Sequence, residues 1–135
     1  MILTFDVLSF VCSFCARMIV GLRKYDHVSP ALRELKWLNV KDQLYHRDAV
    51  LVFKSLHHLT PPLTEKFKNN SEVHSRVYTR NINDLHLPRC RLVTGQRTFS
   101  FRGAKLWNSL LPEIKSEQAL ESFKQKLYNY IFSAD

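Results

Sequence analysis

Arginines are interleaved with aromatic side chains between residues 76 and 105, and no other stretch of the sequence has side chains as well suited to binding a ligand. Its seven basic side chains stand against one acid, Asp84, so it carries +6 of the formal net charge of +8. The basic residues are Arg76, Arg80, Arg89, Arg91, Arg97, Arg102 and Lys105. Because a planar guanidinium binds phosphate through two parallel hydrogen bonds, a cluster dominated by arginine favours nucleic acid as the partner.

Four ring side chains lie between these basic residues: Tyr78, His86, Phe99 and Phe101. Such rings stack on unpaired bases, and no helix offers an evident surface for the major groove, so the stretch favours single-stranded RNA or DNA. The predicted nucleic-acid-binding residues are therefore the seven basic residues and Tyr78. Two alternatives stay open: the cluster is a solvated loop that only adds solubility, and Phe99 and Phe101 belong to the core.

The sequence carries no catalytic motif. It has no glycine-rich phosphate loop, no H-E-x-x-H, no G-x-S-x-G and no paired carboxylates. Cys12 and Cys15 form a C-x-x-C, but a structural zinc site needs four ligands, and no second pair stands at a suitable spacing. This pair lies in an apolar run, where free cysteines behave as small hydrophobes, so two buried thiols are predicted. We expect no catalytic residue, no metal, no cofactor and no independent enzyme activity.

Helical periodicity predicts the elements that position these residues. One predicted helix begins near Ser29, which is its cap. The next runs from Val40 to Leu59 after the cap Asn39. Three more are predicted over 63–69, 102–110 and 116–132, and Ser116 caps the last of these. Residues 72–98 lack a helical period, and the alternation of Leu85 and Leu87 with polar residues permits a short strand. With 135 residues, 45% of them apolar, and three glycines, the chain predicts one mainly α domain. We expect four to six helices, at most one short β-hairpin between residues 72 and 100, and mutual burial of Trp107, Phe123 and Leu127.

Residues 1–22 are almost continuously apolar, with Asp6 and Arg17 inside the run. A membrane span needs about 20 predominantly apolar residues. A secretory signal has basic residues before its apolar run, whereas the first charge here is an acid. The preferred interpretation is a buried helix that ends near Gly21, with a signal or membrane anchor as the alternative. A membrane is accordingly not expected as a partner, and an intracellular location, nuclear or cytoplasmic, is favoured over a membrane or secreted one.

Several blocks of sequence carry a resemblance to a known family. They are ARMIVGLRKYDHVSPALRELKWLNV at 16–40, VFKSLHHLTPPL at 52–63, PRCR at 88–91, FSFRGAKLWNSL at 99–110 and ESFKQKLYNYIF at 121–132. Their order and spacing from Cys15 to Phe132 resemble the C-terminal region of LINE-type (non-LTR) retrotransposon polyproteins, downstream of the reverse transcriptase. The run Trp107-Asn108-Ser109-Leu110, followed by Phe123-Lys124, is the most specific part. Unlike the family, this chain has Leu111 between that run and Pro112.

The resemblance implies a parent polyprotein that is an RNA-directed DNA polymerase, with a paired-aspartate metal site and often an endonuclease. This sequence contains neither domain, so no catalytic residue is carried over. Residues 1–14 do not resemble the family and form a divergent apolar segment, whereas 15–135 is expected to be a single helical domain. The resemblance therefore implies a fragment translated alone, with a new N-terminus.

Three hypotheses about function follow. The first is a non-catalytic domain that binds RNA or single-stranded DNA. The second is a structural or protein-docking remnant that packs on the parent reverse transcriptase where the two are co-expressed; exposed apolar residues around Val50 and Leu51 would favour it. The third is a small membrane-anchored protein that uses residues 1–22; an apolar N-terminal helix standing free of the core would favour it.

Overall fold

The computed structural model describes residues 2–60, 63, 65–73 and 83–134, and these form eight helices and no strand. The helices are α1 (Ile2–Val20), α2 (Ser29–Glu34), α3 (Val40–Leu56), α4 (Asn70–Val73), α5 (Val93–Gln96), α6 (Phe99–Ser109), α7 (Pro112–Lys115) and α8 (Leu120–Ala134). Five of them have at least six residues, and the other three have four residues each. The predicted mainly α class is confirmed. The five longer helices fall within the predicted four to six, and the three single turns raise the count to eight among the described residues.

The first three helices end in the same way. A residue with a positive φ follows each helix, and these residues are Gly21 (77°), Lys36 (54°) and His58 (57°). The next amide then donates back to a carbonyl five residues earlier: Leu22 to Arg17 at 2.9 Å, Trp37 to Leu32 at 2.8 Å and Leu59 to Lys54 at 2.8 Å. This arrangement supplies donors to carbonyls that the helix leaves unpaired. It ends α3 at Leu56, three residues before the predicted end at Leu59.

Helix starts agree only partly with the predicted caps. Asn39 caps α3 as predicted, because its Oδ1 accepts a hydrogen bond from the Asp42 amide at 3.0 Å. Ser29 is instead the first residue of α2, and Val28 holds the cap position without a side-chain bond. Ser116 was predicted to begin the last helix, but it closes α7, where its Oγ donates to the Glu113 carbonyl at 2.9 Å. Pro112 starts this separate turn, so α8 begins only at Leu120.

The core lies where α3, α6 and α8 pack together. Trp107, Phe123 and Leu127 are all buried, as predicted. The Phe123 ring stacks on Phe53 with centroids 4.3 Å apart and on Trp107 at 5.8 Å. Gly103 allows α6 to approach α3 closely, because a Cβ at this position would meet Val52 Cγ2 at 2.9 Å.

The segment before α5 is attached to the core through Leu85. Asn108 on α6 accepts from the Leu85 amide and donates to the Leu85 carbonyl, both at 2.9 Å. On its other side, Leu85 forms an isolated antiparallel bridge with Asn69. The described part of residues 72–100 therefore contains no hairpin; residues 74–82 lie outside the described part. The helix predicted over 63–69 is wrong for most of its length: residue 63 is helical, residues 65 and 66 form a turn, residues 67–69 are not helical, and residue 64 lies outside the described part. Phe67 of that stretch is buried.

Helix α1 is not the buried helix that the sequence predicted. Among its described side chains only Ala16 is buried, and seven large apolar residues are exposed. Cys15 is exposed and Cys12 only half-buried, so the prediction of two buried thiols is wrong as well. Within the described residues, no helix combines the length and apolar character needed to cross a bilayer.

Candidate nucleic-acid interface

A basic groove runs between α3 and α6. Helix α3 contributes Lys41, Leu44, Tyr45, Arg47 and Asp48, and α6 contributes Arg102, Lys105, Leu106 and Ser109. The cavity volume is about 690 Å³, and the groove is open to solvent. Tyr45 packs partly against the core and Leu106 is buried, so the floor between the two rows of charge is apolar.

The lining of the basic groove contains four cationic side chains and one acidic one, Asp48, which forms an ion pair with Arg102. Arg102 Nη2 lies 2.9 Å from Asp48 Oδ2, and the Asp48 side chain is only 11% exposed. A buried carboxylate needs such a partner, so Arg102 has a structural role in joining α6 to α3. The Arg102 side chain is still 54% exposed, which leaves part of its guanidinium facing solvent. Lys41, Arg47 and Lys105 are exposed beside this pair.

Both walls of the groove come from one helical pattern. Lys41, Leu44, Tyr45 and Asp48 occupy positions i, i+3, i+4 and i+7 of α3, and Arg102, Lys105, Leu106 and Ser109 occupy the same positions on α6. Residues at this spacing share one helix face. Sequence reasoning missed Lys41 and Arg47 because it searched for charge within one stretch. The signal that would have found Lys41 is a basic residue one turn before a partly apolar pair, Leu44-Tyr45 on α3 and Lys105-Leu106 after Arg102 on α6.

The residues predicted to bind nucleic acid divide into three groups. Arg102 and Lys105 lie together in the basic groove. Arg89, Arg91 and Arg97 are exposed between Leu85 and α6, but they do not line the groove. We call these three the loop arginines. Arg76, Tyr78 and Arg80 lie outside the described residues.

The loop arginines belong to a segment that is attached at both ends. Near its start, the Lys115 ammonium lies 3.7 Å from an Asp84 carboxylate oxygen and donates to the Asn108 carbonyl at 3.3 Å. At its end, Phe99 packs edge-on against Phe67, with ring centroids 5.5 Å apart. Phe99 is thus a packing residue, in keeping with the alternative that the sequence left open. Phe101 is half-buried.

Metal-ligating and nucleophilic side chains are sparse in the part of the chain that is described. There, no group of three histidine, cysteine, aspartate or glutamate side chains is placed to hold a metal ion. Burial raises the pKa of the Cys12 thiol, and the neighbouring Cys15 raises it further. A raised pKa lowers the thiolate fraction near neutral pH, which makes Cys12 a poor nucleophile.

Comparison with known proteins adds no assignment: the chain matches no family model, no curated protein and no solved structure. The resemblance to the LINE C-terminal region therefore rests on the sequence blocks alone.

Proposed function

We propose that this protein is a non-catalytic domain that binds single-stranded RNA or DNA, derived from the C-terminal region of a LINE-type polyprotein. The basic groove is the proposed binding site for the phosphate backbone. The observation that carries this proposal is the meeting of cations from two helices over an apolar floor, with the single acid held in an ion pair. Cations fixed on helices lose less freedom on binding than cations on a loop.

Each part of the groove has a role in the proposal. Lys41, Arg47 and Lys105 neutralise successive phosphates, and the exposed part of Arg102 adds to their field. The apolar floor at Leu44 and Tyr45 contacts sugar and base. The loop arginines extend the positive surface beyond the groove, and their contribution is long-range attraction that salt screens.

The alternative is a structural or protein-docking remnant with no activity of its own. Exposed apolar side chains in the middle of α3 were expected to favour it, but Val50 and Leu51 are half-buried, and Val50 packs against the core. The middle of α3 thus gives this alternative no support.

The proposal is tested with two variants that remove equal charge. The groove variant is Lys41→Gln/Arg47→Gln/Lys105→Gln, and the loop variant is Arg89→Gln/Arg91→Gln/Arg97→Gln. Arg102 is retained in both because Asp48 needs it. Binding of a fluorescent single-stranded RNA of mixed sequence is followed by anisotropy, with a duplex of the same length for comparison.

We expect the groove variant to lose at least about tenfold more affinity than the loop variant, because each desolvated charge-assisted contact contributes about 1.5–3 kcal/mol. We also expect the single strand to bind more tightly than the duplex. Equal losses in the two variants would reduce the binding to non-specific attraction by net charge. Unchanged binding in the groove variant would remove the site and leave the docking remnant in its place.

A further inference from the structure

Helix α1 has two opposite faces with unusual composition. The inner face consists of Ser9, Ser13, Ala16 and Val20, which are buried or half-buried. The outward face consists of Val7, Val11, Phe14 and Met18, all exposed. Both sets follow the spacing i, i+4, i+7 and i+11, displaced by two residues, which places them about 200° apart around the helix.

This arrangement is the reverse of an ordinary surface helix, which buries its large apolar side chains. The outward residues expose between 48% and 69% of their surface, and Phe10, Leu8 and Ile19 are exposed beside them. Asp6 is the exposed acid of the described part of α1, and it lies at the flank rather than within the outward face. A contiguous apolar patch of this kind marks a surface that something covers.

The C-terminal end of the outward face is bordered by cations. A cleft of about 380 Å³ has Phe10, Phe14, Met18 and Leu22 in its lining, together with Arg17, Lys24 and Tyr25. Arg17 is held in place by hydrogen bonds from Nε and Nη2 to the Asp26 carbonyl at 3.4 and 3.3 Å. Lys24 Nζ stands 5.6 Å from the centre of the Tyr25 ring, and Tyr25 is 89% exposed. Arg23 is exposed next to them.

We propose that the outward face of α1 docks into the interfacial layer of a membrane that contains anionic phospholipid. The helix lies in the plane of the membrane, with Phe14 and Met18 among the acyl chains and Arg17, Arg23 and Lys24 at the phosphates. Tyr25 lies at the level of the headgroups, where amphipathic rings are favoured. The cleft at the C-terminal end of this face shares no lining residue with the basic groove, and the proposal does not rest on the proposed function.

Charge complementarity decides whether a membrane or a second copy of the chain covers the outward face of α1. The end of the outward face is cationic and the chain carries a net charge of +8. A second copy offers apolar surface but repels this charge, whereas an anionic bilayer supplies both hydrocarbon and phosphate. The apolar face and its cationic border thus match one and the same partner.

The experiment is flotation of the full chain with vesicles of phosphatidylcholine alone or of phosphatidylcholine and phosphatidylserine in equal parts. The test variant is Phe14→Ser/Met18→Ser. Its control is Leu92→Ser/Val93→Ser, which removes two exposed apolar side chains at the start of α5. A third variant, Arg23→Gln/Lys24→Gln, tests the cationic border. Circular dichroism checks that each variant keeps the helical spectrum.

We expect the parent and the control variant to float with the mixed vesicles. Serine at 14 and 18 should lower the partition constant at least about tenfold, since burial of one Phe or Met side chain contributes about 1.5–3 kcal/mol. Glutamine at 23 and 24 should lower it about tenfold or more, at about 1 kcal/mol per cation. Phe14→Ser/Met18→Ser changes no charge and no groove residue, so nucleic-acid binding should stay unchanged in this variant, which separates this proposal from that of the groove.

Equal flotation of parent and test variant would overturn the proposal, as would an equal loss in the control variant. Sedimentation equilibrium without vesicles gives the remaining outcome. A parent dimer that Phe14→Ser/Met18→Ser dissociates, together with no flotation of the parent, would assign the face to a second copy and overturn membrane docking.

Discussion

Asn108 shows how one polar side chain holds a loop to a helical core. Its carboxamide makes the two hydrogen bonds to the Leu85 backbone that a neighbouring strand would make. Leu85 is only 2% exposed, so water is a poor replacement for either bond. The run Trp107-Asn108-Ser109-Leu110 therefore has a structural explanation, because Trp107 and Leu110 are buried on either side of this contact.

Replacement of Asn108 by alanine should lower the free energy of unfolding by about 2–3 kcal/mol, because each buried group left without a partner costs about 1–3 kcal/mol. The control is Asn129→Ala on α8, where the exposed asparagine accepts a solvent-exposed hydrogen bond from Gln125 Nε2 at 3.3 Å. The control measures what replacing a helical asparagine by alanine does at an exposed site, so a clearly larger fall in the urea midpoint for Asn108→Ala reports the Leu85 contact. Equal midpoints would show that the contact adds no stability.

Residue identities predicted the core more reliably than the polar contacts. The helical spacing of Trp107, Phe123 and Leu127 was enough to predict that they are buried. No such rule pairs Asp48 with Arg102, which lie on different helices and meet only after α3 and α6 pack across Gly103. The basic groove was missed for the same reason, because half of its cations lie on α3.

At the scale of elements, the ends of helices deviate most from prediction. Serine before an apolar run predicted caps at Ser29 and Ser116, but Pro112 starts a turn of its own that ends at Ser116. A positive φ at Lys36 and His58 was invisible in the sequence, since neither residue is glycine or asparagine. The end at Gly21 was predictable, because glycine adopts this conformation without strain.

The backbone at His58 predicts a stabilising substitution. Glycine at this position would relieve about 1–2 kcal/mol of strain, which is the cost of a side chain in the left-handed conformation. Its greater conformational freedom in the unfolded chain offsets about 0.4–1 kcal/mol of this gain. His58→Gly should therefore raise the free energy of unfolding by about 0.5–1 kcal/mol in thermal or urea unfolding. His58→Ala removes the imidazole but keeps the strain, so it should bring no such gain. A gain in both variants would attribute the effect to the imidazole.

At the scale of the whole molecule, charge and apolar surface are divided between two regions. The basic groove gathers cations from α3 and α6, and the outward face of α1 gathers exposed apolar residues. Composition predicted the first property through the net charge of +8. Composition did not predict the exposed apolar face of α1, because a run of apolar residues has the same composition whether its helix is buried or exposed. The position of α1 depends on its small inner residues, whose role appears only in the fold.

If the basic groove neutralises phosphates, the salt dependence of binding measures how many phosphates it contacts. The affinity of parent and groove variant for the same single-stranded RNA is determined over a range of salt concentrations. The logarithm of the association constant falls by about 0.7 per phosphate contact for each tenfold rise in salt. Loss of Lys41, Arg47 and Lys105 should make this slope shallower by about 2, while the loop variant should change it less. An unchanged slope in the groove variant would show that these three cations do not neutralise phosphates.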